Sequence, residues 1–293
     1  VSGKSAFKYL KADDIKRLQR LEFSPEILAE GFFAGRHASR GRGVSSEFMD
    51  HRPHCPGDDI KLIDWRVLAR TDRAHLKMFE RETDTVCYIF MDSSRSMDFG
   101  GGMTKLDFAS YFTAALSWLV SSGGNMVSLC LFDGAVKDFI PPGSSPSHLR
   151  NILEKLDGNK PEGSGPGAPE ALEKTFHRIK KRGTLVVLSD FYLSPAELFS
   201  SLRPYISRGF KIHLAHILTP GEINLPFDGL AEFTDMEDGS KVSCRAGDIR
   251  AEYQAALNRH ISAMRETAFR KGVSYALTGS DRHYLEMLRG LAK

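Results

Sequence analysis

From Val86 onward the chain alternates short apolar runs with stretches in which apolar residues recur every three or four positions. Val86 to Met91 is a continuous apolar run, the pattern of a parallel strand covered on both faces. Lys105 to Ser122 carries Leu106, Ala109, Phe112, Leu116, Leu119 and Val120 on one helical stripe, with Thr104 and Asp107 placed as an N-cap and its third-position partner. The rhythm then predicts a strand over 127–132, a short strand over 136–140 hairpinned through Asp133-Gly134, and a helix over 146–156. After a Gly/Pro loop over 157–166 it predicts a helix over 169–181 and a buried strand over 184–188. A helix opened by Ser194-Pro195 and a strand over 210–218 follow. In a less regular patch, 230–234 and 241–244 flank Asp238-Gly239 as the arms of a hairpin. A helix over 248–271, a strand over 273–277 and a helix from Asp281 complete the pattern.

Strands alternating with helices of these lengths specify a Rossmann-like, doubly wound α/β fold, a mainly parallel sheet with helices on both faces. Residues 1–85 do not share the rhythm. They begin helically, pass through a Gly/Arg-rich stretch at 35–43 and end in a dense segment over 48–70. No Pro- or Ser-rich linker precedes Val86, so they are expected to form an N-terminal extension packed on an α/β domain of 86–293.

Composition removes several classes. A chain of 293 residues, 41% of them hydrophobic, can bury a core that needs no staples. Forty Lys and Arg against 37 Asp and Glu leave a net charge of +3, too little to hold nucleic acid or an anionic membrane by a global field. Cys55, Cys87, Cys130 and Cys244 form no C-x-x-C pair, and Cys87 and Cys130 sit in apolar runs, so they read as reduced core thiols. Nothing in the sequence approaches the roughly 20 apolar residues of a bilayer span, and the N-terminus has no signal-peptide core. A cytoplasmic location is the expectation.

The chemistry gathers at strand ends. The run over 86–91 leads directly into Asp92-Ser93-Ser94-Arg95-Ser96-Met97, where Asp92, Ser94 and Ser96 alternate and their oxygens can converge on one point. One carboxylate with two hydroxyls is a hard-oxygen set, suited to Mg²⁺ or Mn²⁺ and not to Zn²⁺. The bland alternative is that these residues only cap the turn that follows. The strand over 184–188 ends in Ser189-Asp190-Phe191, a second carboxylate at the same sheet edge, and Glu162-Gly163-Ser164-Gly165 supplies a loop hydroxyl.

This set resembles the metal-ion-dependent adhesion site of von Willebrand factor type A domains, over Val86 to about Leu218. The resemblance implies that Asp92, Ser94, Ser96, Ser164 and Asp190 surround a divalent ion, Mg²⁺ or else Mn²⁺ or Ca²⁺. It further implies that an Asp or Glu of a protein partner completes the coordination. The third-loop residue of that family is usually Thr, and Ser164 keeps the hydroxyl without the methyl. Thr175, the nearest threonine, falls inside a predicted helix. Asp133 is expected to serve its own turn in preference to the rim of the site.

Gly43-Val44-Ser45-Ser46-Glu47-Phe48, Arg52, Pro56-Gly57-Asp58-Asp59, Ile63-Asp64-Trp65 and Ala69-Arg70 together resemble the signature of the bacterial DUF58 family, in which it precedes a type A domain. The resemblance covers nearly the whole chain from about residue 30, with His54 standing where that family commonly has an aromatic. It implies a protein that works beside a MoxR-type AAA+ ATPase, as a chaperone adaptor or a metal-insertion or complex-maturation factor. From the residues themselves, Pro56-Gly57 reads as a type II turn and Asp58 or Asp59 as the cap of a helical turn over 60–65. Arg52, Arg66 and Arg70 read as an ion-pair lattice with these acids, with a docking surface as the functional alternative.

An enzyme would need more than this. The chain has no G-x-S-x-G elbow and no G-x-x-x-x-G-K-[ST] loop, and position 94 is Ser where phosphoryl-aspartate chemistry would want an acid. His213 and His216 are three apart on one strand and read as core or rim residues. The expectation is a non-catalytic, metal-assisted protein-binding module, with a metal-dependent hydrolase or phosphatase as the alternative.

Overall fold

The computed structural model describes residues 7–20, 47–53, 67, 75–80, 86–163 and 167–291. The chain divides into two compact units, Arg36–Asp84 and the combination of Val1–Gly35 with Thr85–Lys293. In the smaller unit β1 (Glu47–Pro53) pairs antiparallel with β2 (His75–Glu80), and the register shifts between Phe48 and Asp50. The Pro56-Gly57 turn, the turn over 60–65, Cys55, the stretch at 35–43 and the side chains of Arg52, Arg66 and Arg70 lie outside the described residues.

In the larger unit the apolar runs form β3 (Val86–Asp92), β4 (Met126–Phe132), β5 (Val136–Gly143), β6 (Gly183–Ser189), β7 (Lys211–Leu218) and β10 (Ser274–Gly279). Their order in the sheet is β10-β7-β6-β3-β4-β5; β5 alone is antiparallel, hairpinned to β4 as the Asp133-Gly134 turn requires. A separate hairpin joins β8 (Leu230–Thr234) to β9 (Lys241–Arg245). This is the mostly parallel sheet with flanking helices that the sequence predicts.

Alternation along β3 feeds two cores, because successive side chains of a strand point to opposite faces. Cys87, Ile89 and Met91 pack with α1 (Ala12–Leu18), α2 (Lys105–Ser122), α3 (Pro146–Gly158) and α8 (Tyr284–Leu291). Val86, Tyr88 and Phe90 pack with α4 (Gly167–Phe176), α5 (Pro195–Ser207) and α7 (Ala246–Lys271). Burying Leu106, Phe108, Phe112, Leu116 and Leu119 of α2 stabilises the first core by about 2 kcal/mol per side chain. Cys87 and Cys130 are buried free thiols, and burial pushes both up to about 12. Among the described residues no helix is long and apolar enough to cross a membrane.

Two local expectations change. Thr104 caps α2 by accepting from Asp107 N at 3.0 Å, but the Asp107 carboxylate does not turn back to the cap. It accepts instead from Lys8 Nζ and Tyr9 OH, both at 2.8 Å, tying residues 7–20 to α2. Tyr9 then meets Tyr111 edge-on at 5.1 Å, and Tyr111 stacks on Tyr284. The helix expected to reach 181 stops at Phe176. Beyond it the Arg208 guanidinium takes the carbonyls of Ile179 and Lys180, and the Tyr88 hydroxyl takes that of Lys181, so the chain turns early into β6.

Thr104→Ala removes the cap bond of α2 and is expected to lower unfolding stability by about 1 kcal/mol, read as a shift of the urea midpoint at unchanged slope.

Candidate functional site

From β3 the chain builds β4 and β5 on one side, then crosses to β6, β7 and β10 on the other, so the strand order reverses between β3 and β6. In open α/β sheets the crevice outside the carboxyl ends at such a reversal is where ligands sit. Met91 pairs with Leu188, which brings Asp92 level with Ser189 and next to Asp190. The fold therefore delivers two acids from distant parts of the chain to one crevice.

Asp92 is 7% exposed and Asp190 4%. Asp92 Oδ1 accepts from Ser94 N at 2.9 Å and Oδ2 accepts from Ser189 Oγ at 2.7 Å. Ser94 stands at the N-cap of a 3-10 turn, Arg95–Asp98, yet its hydroxyl makes no capping bond and lies 3.1 Å from that of half-buried Ser96. The turn is thus held by the Asp92 carboxylate, while the two serine hydroxyls stay together beside it. Burial, and then the neighbouring Asp190 charge, push Asp92 up to about 7, only partly opposed by the bonds from Ser189 and Ser94.

Asp190 has a different partner. Its Oδ2 accepts from Lys105 Nζ at 2.8 Å, and the same ammonium donates to Glu222 Oε1 at 2.5 Å and lies 5.3 Å from the centre of the Tyr192 ring. The Lys105 side chain is 1% exposed. Burial works against its charge, but Asp190 and Glu222 outweigh burial and hold the ammonium above its ordinary pKa. Glu222 is fixed in turn by α6 (Pro220–Asn224): its Oε2 accepts from Thr219 N at 2.6 Å, and its own N donates to Thr219 Oγ1 at 3.1 Å. The reading from sequence missed Lys105, Glu222, Tyr192 and the bond from Ser189.

Behind Asp190 the backbone is strained. Phe191 has φ 45°, a left-handed conformation that disfavours a side chain by about 1–2 kcal/mol. It is held there by Phe191 N donating to Ser189 Oγ at 3.0 Å, by His260 Nε2 donating to its carbonyl at 3.0 Å, and by edge contact with His216. His216 is fully buried, shares a 2.6 Å hydrogen bond with the Tyr275 hydroxyl, and is lowered to about 4 by burial.

Ser164 lies outside the described residues. The two residues before it reach the site: Glu162 N donates to Ser93 O at 3.2 Å, and Gly163 has φ 75° with the Asp133 carbonyl 2.4 Å from where a Cβ would stand. Asp133 serves its turn and this contact. Thr175 is inside α4, with its hydroxyl donating to the Ala171 carbonyl, and takes no part.

The donor chemistry fits a hard divalent cation. Asp92, Ser94, Ser96 and Asp190 present oxygens only, and with Asp92, Asp190 and Glu222 ionised against Lys105 the cluster carries two negative charges in excess. No group of three or more His, Cys, Asp or Glu side chains suited to a metal occurs among the described residues, so an ion here would depend on the hydroxyls. A cavity of about 620 Å³, walled by Phe99, Met103, Pro220, Phe227 and Met236, reaches Thr219 and Gly221 beside Glu222 but is not lined by Asp92, Ser94, Ser96 or Asp190.

A family profile described as "Protein of unknown function DUF58" matches residues 50–263. An uncharacterized protein of Mycobacterium tuberculosis is 28% identical over 225 residues, covering 76% of this chain and 70% of its own length. Among solved structures, an aerotolerance-related membrane protein from Bacteroides fragilis, with multiple mutations to serines, covers 71% of this chain and 98% of its own at 15% identity and a TM-score of 0.47. The conserved hypothetical protein BatB from Bacteroides thetaiotaomicron covers 71% and 100% at 14% identity and a TM-score of 0.45.

Because the folded state raises the Asp92 pKa, the stabilisation from its bound proton is present below about pH 4 and lost as pH rises through about 7. In EDTA the melting temperature of the wild type is expected to fall between about pH 5 and 8 more steeply than that of Asp92→Asn, followed by scanning calorimetry.

Proposed function

The chain belongs to the DUF58 family, and from that premise we propose that it is a non-catalytic, divalent-metal-assisted protein-binding module. The observation that supports this reading is the convergence of Asp92, Ser94, Ser96 and Asp190 on the crevice where the strand order reverses. Asp92 and Asp190 would hold the ion by carboxylates and Ser94 and Ser96 by hydroxyls, with Ser164 supplying a third hydroxyl on the family resemblance. Bound Mg²⁺ supplies a Lewis-acidic point charge to which an outside carboxylate can attach.

Each residue has a task in this scheme. Ser94 N and Ser189 Oγ fix the orientation of Asp92 before any ion arrives. The strained Phe191 and its bonds to Ser189 and His260 fix the chain that carries Asp190. An arrangement set in advance loses little freedom on binding. A partner Asp or Glu is the natural sixth ligand, and the apolar wall of Phe99, Met103 and Phe227 can receive the side chains around it. His216, sealed beneath Phe191 and bonded to Tyr275, is not available as a general base. On the DUF58 signature, the partner is a MoxR-type AAA+ ATPase.

Titration calorimetry with Mg²⁺ should give one site in the wild type and none in Asp92→Ala or Asp190→Ala, with circular dichroism unchanged. Capture of the MoxR-type ATPase of the same cell should need Mg²⁺ and be lost in both variants. Capture that persists in EDTA and in both variants would overturn the proposal.

A further inference from the structure

We infer that Lys105 is a fixed internal cation that sets the charge of the Asp92 and Asp190 crevice, and so decides how tightly it takes an ion and that it prefers an acidic ligand. The inference rests on the ion-binding reading above and concerns what tunes that site.

A lysine at the first residue of a helix ordinarily reaches into water. This one does not. Lys105 lies on the apolar stripe of α2, seven residues before Phe112, and its ammonium is enclosed by Asp190, Glu222 and the face of Tyr192. Its backbone is held as well, by Lys105 N donating to Phe99 O at 3.3 Å beside the Thr104 cap. Glu222 cannot follow the ammonium elsewhere, because both its backbone N and its carboxylate are engaged with Thr219. The positive charge is therefore part of the fold and is not exchanged with solvent ions.

Its placement on one oxygen of Asp190 has a consequence for binding. With all three carboxylates ionised, they and the one ammonium give the crevice a charge of −2, which a divalent ion cancels. Without Lys105 the empty crevice would carry −3 and hold cations more strongly, but the loaded site would keep −1 and repel an incoming carboxylate. With Lys105 the loaded site is neutral, so the ion's positive charge is available to a partner acid. Glu222 acts in the opposite sense, so removing its charge leaves −1 when empty and +1 when loaded. Lys105 and Glu222 thus trade ion affinity against affinity for an acidic ligand.

The test is a charge series with Mg²⁺ in titration calorimetry, and with acetate displacing water from the Mn²⁺-loaded protein, read by water-proton relaxation. Lys105→Gln is expected to bind Mg²⁺ about tenfold more tightly and acetate more weakly, and Glu222→Gln to do the reverse. The double variant Lys105→Gln/Glu222→Gln restores the net charge and should match the wild type within about threefold. Should Lys105→Gln alone fail to fold, Glu222→Gln and the double variant still decide, because a merely structural role does not move the two ligands in opposite directions. Wild-type Mg²⁺ binding with a flat series, or with both ligands weakened together, overturns the role of Lys105 alone. Absence of wild-type Mg²⁺ binding overturns the ion reading itself, and this inference with it.

Discussion

Two carboxylates stand almost dry at the ends of neighbouring parallel strands, and most of the larger unit's upper edge is arranged around the cost of keeping them there. A buried charge without a partner is strongly unfavourable, and two like charges side by side are worse. Asp92 meets this with Ser94 N and Ser189 Oγ, and Asp190 meets it with Lys105. Lys105 in turn needs Glu222, and Glu222 needs the Thr219 cap of α6. One polar chain runs from the first strand of the sheet to the loop after β7, and each link exists because the previous one is buried.

Packing and the candidate site share the same causes here. The apolar runs that make β3 and β6 adjacent also fix the register that sets Asp92 against Ser189, so a slip of one residue would undo the crevice and both cores at once. Gly163 is required where the loop before the described part of α4 crosses Asp133, since a side chain there would meet the Asp133 carbonyl at 2.4 Å. Strain at Phe191 is tolerated because Ser189, His216 and His260 all hold it. A rigid frame of this kind suits the proposed role, in which the site would present an ion without rearranging.

β3, β4, β6, β7 and α2 were legible in the sequence because burial on both faces leaves an unmistakable apolar run, and because the stripe from Leu106 to Val120 keeps a single helical period, whereas the β1–β2 pair was not read. The acids were legible because Asp92 and Asp190 directly follow such runs. Lys105 was not, since a lysine is read as solvated unless its place on the stripe, level with Phe108 and Phe112, is given weight. Thr219-Pro220-Gly221-Glu222 carries the spacing of a capping box, but it fell in a patch that looked irregular. The early end of α4 could not be read locally, because residues 177–181 are good helix formers and what stops them is Arg208, far along the chain. Long-range partners decided the misses at Lys105 and at the end of α4.

The central claim is that a cation binds between Asp92 and Asp190 while Lys105 remains on Asp190. Crystals soaked in Mn²⁺ and measured at its absorption edge test this directly. The account predicts one anomalous peak within bonding distance of the oxygens of Asp92, Ser94, Ser96 and Asp190, with the Lys105 ammonium still bonded to Asp190 and Glu222. A crevice without a peak, or a peak that has driven Lys105 away from Asp190, would contradict it.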